Sequence, residues 1–162
     1  MERWDLYDID RNVIGEHIRG EKLPENSYHL VVHVWIKNRQ GKYLMSQRAK
    51  NRPTCPLMWE CVGGSVLKGE TSLQGALRET KEEVGVALAP QKGKLLFSTV
   101  RKPFSDMVDV WLFAYDGEVS LKNATTDEVE QTVWLDRSEI LKLKQENKLV
   151  DTQDYFFDQV EP

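Results

Sequence analysis

Residues 64–86 read G-x5-E-x7-R-E-T-x-E-E-x-G-V, with Gly64, Glu70, Arg78, Glu79, Glu82, Glu83 and Gly85 at the fixed positions. No other stretch constrains the fold so narrowly. Thr71 and Gln74 have the spacing of a capping box, in which both side chains satisfy free backbone N–H groups at a helix start. Gly85 stands where a left-handed residue ends a helix. Between them Leu73, Ala76, Leu77, Thr80 and Val84 recur at helical spacing and form a stripe able to face a core. The spacing predicts one capped helix, apolar on one face and charged on another.

The charged face is unfavourable as it stands. Glu79, Glu82 and Glu83 lie three and four apart, so their carboxylates cluster. Like charges at i, i+4 disfavour a helix by a few tenths of a kcal/mol. Hard divalent cations bind through oxygens, usually one or two protein carboxylates plus substrate phosphates. A cation would turn the repulsive cluster into an attractive one. A solvated acidic helix face is the plainer reading of such a run. The Gly63-Gly64 pair, which reads as a turn, the separate Glu70 and the placement of Arg78 favour the metal site instead. With Gly near 7% and each charged type near 6% of ordinary sequence, all seven matches arise by chance in about one chain per million. Gly75, at mid-helix, costs ~1 kcal/mol relative to Ala. It marks either a close approach or a tolerated defect.

At every charged and glycine position this box resembles that of the Nudix hydrolases; Thr80 stands where the family usually has an aliphatic residue. The likeness covers about residues 28–150. It implies an α/β/α sandwich with a mixed central sheet, and Mg²⁺ (or Mn²⁺ in its place) bound by Glu79, Glu82, Glu83 and the carbonyl of Gly63. Backbone oxygens suit hard cations, and paired glycines allow unusual backbone geometry. Arg78 would pair with box glutamates, as a planar guanidinium does well. The family often recruits one more glutamate from a loop ahead of a tryptophan-bearing strand. Glu128, six residues before Trp134, fills that place. The base acting on water varies among members, leaving Glu79, Glu70 and Glu128 as candidates. The implied reaction is cleavage of a phosphoanhydride in a nucleoside diphosphate linked to another group, or in a related organic diphosphate.

Two alternatives are weaker. Ser27-Tyr28-His29-Leu30 resembles the core entry of isopentenyl diphosphate isomerase, with His29 at that enzyme's metal-binding histidine. The isomerase also needs a Cys-Gly-His segment, whereas Cys61 is followed by Val62-Gly63-Gly64, and the isomerase box is degenerate where this one is full. Cys61 reads as a small core residue. A catalytically silent Nudix-fold nucleotide-binding module would typically have lost box glutamates, and all four are present.

Composition narrows the remaining classes. The 162 residues suffice for one domain with its own core. Two cysteines, Cys55 and Cys61, are too few for a disulfide framework. A net charge of −4 without a basic run argues against nucleic acid. No apolar leader or bilayer-length stretch is seen, so a cytoplasmic protein with no membrane association is expected. Arg19, Arg48 and Arg101 are candidate phosphate contacts, and Trp35, Trp59, Trp111 and Phe104 candidate stacking surfaces.

Strand patterns fall at 3–8, 13–19, 28–37, 42–48, 93–100, 106–116 and 129–135. A second helix starts near Ser138, with Asp136 and Glu139 as its capping box, and a third is predicted near 152–158. Residues 1–27 form a β extension, 28–150 the core and 151–162 a helical end. The extension's short strands leave an open edge, from which a homodimer is expected.

Overall fold

The computed structural model describes every residue, Met1–Pro162. Its strands are β1 (Arg3–Tyr7), β2 (Val13–Ile18), β3 (His29–Lys37), β4 (Tyr43–Arg48), β5 (Trp59–Glu60), β6 (Val62–Ser65), β7 (Gly93–Arg101), β8 (Asp106–Ala114) and β9 (Val129–Leu135). The helices are α1 (Ser72–Val84) and α2 (Arg137–Gln145). The long strands and both helices lie within a residue or two of their predicted bounds. The sequence misses β5 and β6, which are too short to show a period and exist through pairing with β4 and β3. Gly63 and Gly64 therefore sit in a strand, with no left-handed φ, and do not make the expected turn. The helix predicted near 152–158 is a 3-10 turn, Asp151–Gln153, followed by a π-helical turn, Phe156–Val160.

Two layers of core form because the strands alternate. Along β3, Leu30, Val32, Val34 and Ile36 face α1 with Leu44, Met107 and Phe113. Trp35 faces the opposite side with Met45, Val108, Val110, Ile140 of α2 and the C-terminal Phe156 and Phe157. This period-two division buries the seven-stranded mixed sheet on both faces, giving the α/β/α sandwich. β8 runs parallel to β3 along its whole length and antiparallel to β7.

β3 and β4 share one register pair, Lys37↔Tyr43, and then separate. β6 takes the freed edge of β3, while β5 and β9 pair with β4. The candidate site is built around this separation. No helix is long and apolar enough to cross a membrane.

The β1–β2 hairpin packs on its own chain. Arg11, at the turn with φ 67°, donates to both oxygens of the buried Asp109 on β8 at 2.8 and 2.5 Å. Trp4 stacks on His29 with ring centroids 4.1 Å apart. Leu6 is 6% exposed, a burial worth about 1.5–3 kcal/mol. Main-chain bonds Lys68 N–H to Arg3 O and Tyr7 N–H to Tyr28 O complete the seam.

Candidate active site

The box helix is capped as its sequence requires. Thr71 Oγ1 accepts from Gln74 N–H at 3.1 Å, and Thr71 N–H donates to Gln74 Oε1 at 2.9 Å. Gly85, at φ 71°, donates to Lys81 O. Thr80, polar in an aliphatic position, is fully buried but donates its hydroxyl to Ala76 O at 2.8 Å. Gly75 is explained by close approach, since a Cβ there would lie 2.9 Å from Val66 Cγ2.

Arg78 is the hub of the cluster. Its Nε donates to Glu70 at 2.6 Å, Nη2 to Glu70 and Ser65 O, and Nη1 to Glu79 and Glu82 at 3.1 Å each. Burial works against the charge of Arg78, but Glu70 and Glu79 hold it protonated. Burial likewise raises the pKa of Glu70, and the bonds from Arg78 and from Leu67 N–H outweigh it, leaving Glu70 below the usual range. Glu70 therefore faces Arg78 with both oxygens engaged and does not line the cleft, unlike the other candidate bases.

The cleft has a volume of about 130 Å³. Glu79, Glu82 and Glu83 enter it from α1, and Gly63, Gly64 and Ser65 from β6. Thr126 and Glu128 come from the loop before β9, held there because Thr125 and Thr126 N–H donate to Glu82 O. Gly64 gives Glu79 its room: a Cβ on Gly64 would fall 2.3–2.6 Å from the Glu79 carboxylate atoms. Burial pushes Glu79 up to about 7 despite Arg78 beside it. Burial also raises Glu83 well above the usual range, aided by Glu79, Glu60 and Glu128.

Three cleft residues remote from the box carried no sequence signal for this role. Glu2, Arg19, Arg52 and Thr126 line the cleft from distant parts of the chain, Arg19 alone having been a candidate. Arg52 is ion-paired with Glu128 at 3.0 Å, while its buried Nε–H has no acceptor. A smaller pocket alongside adds Glu60, whose pair with Arg48 at 2.8 Å takes Arg48 out of contention as a free phosphate ligand. Arg101 is likewise spent on Asp106.

None of the candidate aromatic platforms lines the cleft. Trp35 is core, Trp59 packs beside it, Trp111 donates to Ser72 Oγ at 2.9 Å, and Phe104 lies under Arg101. Cys61 is fully buried, with its thiol pushed up by burial, and His29 is stacked on Trp4 outside the cleft. The pieces of an isomerase site are not assembled.

Three or more acidic or imidazole side chains do not converge into a ready-made ion cage. Glu79 and Glu82 are paired with Arg78, and Glu128 with Arg52. The donors themselves suit a hard cation: carboxylate oxygens and a strand peptide, with no sulfur or imidazole in the cleft.

A model of the NUDIX domain matches residues 27–159. The chain belongs to the Nudix family. A Listeria innocua protein described as an uncharacterized Nudix hydrolase is 36% identical over 159 residues, spanning 97% of this chain and 91% of the relative. The crystal structure of a Deinococcus radiodurans protein superposes with a TM-score of 0.74 at 24% identity, covering 92% of each chain. The NUDIX domain of Shewanella oneidensis NrtR, solved in complex with ADP ribose, has a TM-score of 0.57 at 18% identity over 71% of this chain and 77% of that one. Both structural likenesses concern the Nudix fold.

Proposed function

We propose that this Nudix protein is a divalent-cation-dependent hydrolase of a phosphoanhydride bond, in a nucleoside diphosphate linked to another group or in a related organic diphosphate. The observation that carries the reading is one cleft shared by Glu79, Glu82, Glu83, Glu128 and the Gly63 peptide. Mg²⁺, or Mn²⁺ in its place, held by Glu79, Glu82, Glu83 and the Gly63 carbonyl, would neutralise developing phosphoryl charge and lower the pKa of a nearby water. Arg78 keeps Glu79 and Glu82 in position from behind. In this reading Glu79 or Glu128, which line the cleft, would take the proton from water, and Glu70, bound to Arg78, would act as its anchor. Product analysis by mass spectrometry with ADP-ribose, NADH, nucleoside triphosphates, nucleotide sugars and isopentenyl diphosphate tests this. A chelator-sensitive cut of one anhydride is expected. Turnover indifferent to chelator, or isomerised isopentenyl diphosphate, would overturn it.

The cleft is lined by no apolar side chain and is smaller than the ~300–1,000 Å³ of pockets that engulf a drug-sized ligand. The base of a nucleotide substrate would stay outside it. Values of kcat/KM for nucleotide sugars differing only in base should therefore agree within about tenfold, a spread of ~1.4 kcal/mol. A hundredfold preference for one base would contradict this.

The buried acids also make a stability prediction. Glu79, facing Arg78, Glu82, Glu83 and Glu128, titrates near 7 when folded, against about 4.3 when exposed. Between those values the folded chain binds more protons than the unfolded one. Its contribution is therefore present below about 4.3 and is lost as pH rises through about 7. In thermal melts Mg²⁺ should raise the midpoint more at about pH 8 than at about pH 5.5, because the deprotonated site binds the cation. Equal increments at both would argue against a cation among these carboxylates.

A further inference from the structure

The open end of the N-terminal hairpin reaches the cleft. Glu2, just before β1, and Arg19, just after β2, both line it. Arg19 N–H donates to Glu2 O at 3.0 Å, and the Arg19 guanidinium pairs with the Glu2 carboxylate at 2.7 Å. At the turn Arg11 is bound to Asp109, and next to the open end Trp4 is stacked on His29, so the hairpin is held at both ends. The hairpin thus delivers a cation at a set position while the Arg19 side chain stays 53% exposed.

Arg19 differs from the other arginines near the cleft. Arg78 is saturated by Glu70, Glu79, Glu82 and Ser65 O, and Arg52 is held by Glu128. Arg19 has one side-chain partner, Glu2, through a single exposed hydrogen bond, and it feels the charges of Glu128 and Glu79 across the cleft. Exposed ion pairs are weak. A diphosphate carries more charge than one carboxylate and offers several oxygens to a guanidinium fork.

We propose that Arg19 binds the diphosphate of the substrate and that the Glu2 carboxylate is its internal stand-in, displaced when substrate enters. This rests on reading the cleft as a diphosphate hydrolase site. The hairpin then sets substrate affinity: Glu2 competes for Arg19, and its removal should tighten binding.

The test is calorimetric titration of the 162-residue chain with inorganic pyrophosphate in Mg²⁺, using wild type, Glu2→Gln, Arg19→Gln and the double variant. Arg19→Gln should weaken binding about tenfold. Glu2→Gln should tighten it about two- to threefold, an effect that disappears in the Arg19→Gln background because the two groups act through each other. Arg19→Lys, keeping the charge without the fork, should fall between wild type and Arg19→Gln. On a turned-over substrate the same changes should appear chiefly in KM and less in kcat. Unchanged affinity in Arg19→Gln, weaker binding in Glu2→Gln, a Glu2 effect that survives loss of Arg19, or no pyrophosphate binding by wild type would each overturn the proposal. Circular dichroism of each variant separates a lost contact from a lost fold. Because the titration reads binding, a wild-type chain that binds pyrophosphate but hydrolyses nothing would sink the hydrolase reading while leaving Arg19 decided.

Discussion

Glu82→Gln is expected to lower turnover by at least about 100-fold, the scale seen when a main charge-stabilising group is removed from a preorganised site. Of the three helix carboxylates in the cleft, this one can be changed most cleanly. Glu82 is 38% exposed at the side chain, against 13% for Glu79, so an amide there is not stranded in an apolar interior. Its fold-bearing contacts are made by the backbone, where its carbonyl accepts from Thr125 and Thr126 and so anchors the loop that carries Glu128. Glutamine keeps the size and an acceptor oxygen for Arg78. The melting midpoint without metal should therefore stay within a degree or two of wild type, a change of well under ~0.5 kcal/mol. What is lost is the charge that a cation needs. Full turnover in this variant would remove Glu82 from the proposed metal site.

Gly64→Ala should lose activity with little loss of stability. The added Cβ would meet the Glu79 carboxylate at 2.3–2.6 Å, so that carboxylate, the free end of a flexible side chain, has to swing away. Gly64 is paired with Val32 in the β3–β6 ladder, while Glu79 sits on a capped helix with its carboxylate on Arg78. Because a side-chain end takes up the clash, the stability cost should stay at or below about 1 kcal/mol, the low end for overpacking. Displacement of a catalytic group by ~1 Å can cost about 100-fold in rate. Gly15→Ala, on the exposed hairpin with nothing within 4 Å of the new methyl, is the control that should change neither. An active, stable Gly64→Ala chain would show that Glu79 does not need the position it occupies here.

Both predictions turn on facts with different visibility in the sequence. The helix that carries Glu79, Glu82 and Glu83 was legible because its determinants are local: the Thr71–Gln74 box, the apolar stripe and Gly85 all lie within a few turns of one another. The same holds for α2 and for the strands with a clear period of two. β5 and β6 were not legible, since Trp59–Glu60 and Val62–Ser65 are too short for a period and are ordered by the edges of β4 and β3. That is why a glycine pair expected to bend the chain turned out to leave space for a carboxylate.

Within the box, spacing could place four glutamates near one another but could not say which way each carboxylate faces. Packing decided that Glu70 turns to Arg78 and the amide of Leu67, while Glu79, Glu82 and Glu83 turn to the cleft. It also decided which cations share that cleft. Arg48 and Arg101, plausible by type, are consumed by Glu60 and Asp106, whereas Arg19 and Arg52 arrive from a hairpin and a proline-bearing loop. Sequence periodicity and capping act over a few residues and so dictate the helix, the strands and the presence of a hard-cation donor set. The meeting of residues 2, 19, 52 and 128 around that set depends on closing long loops onto a shared core, and it became readable once the sandwich was assembled.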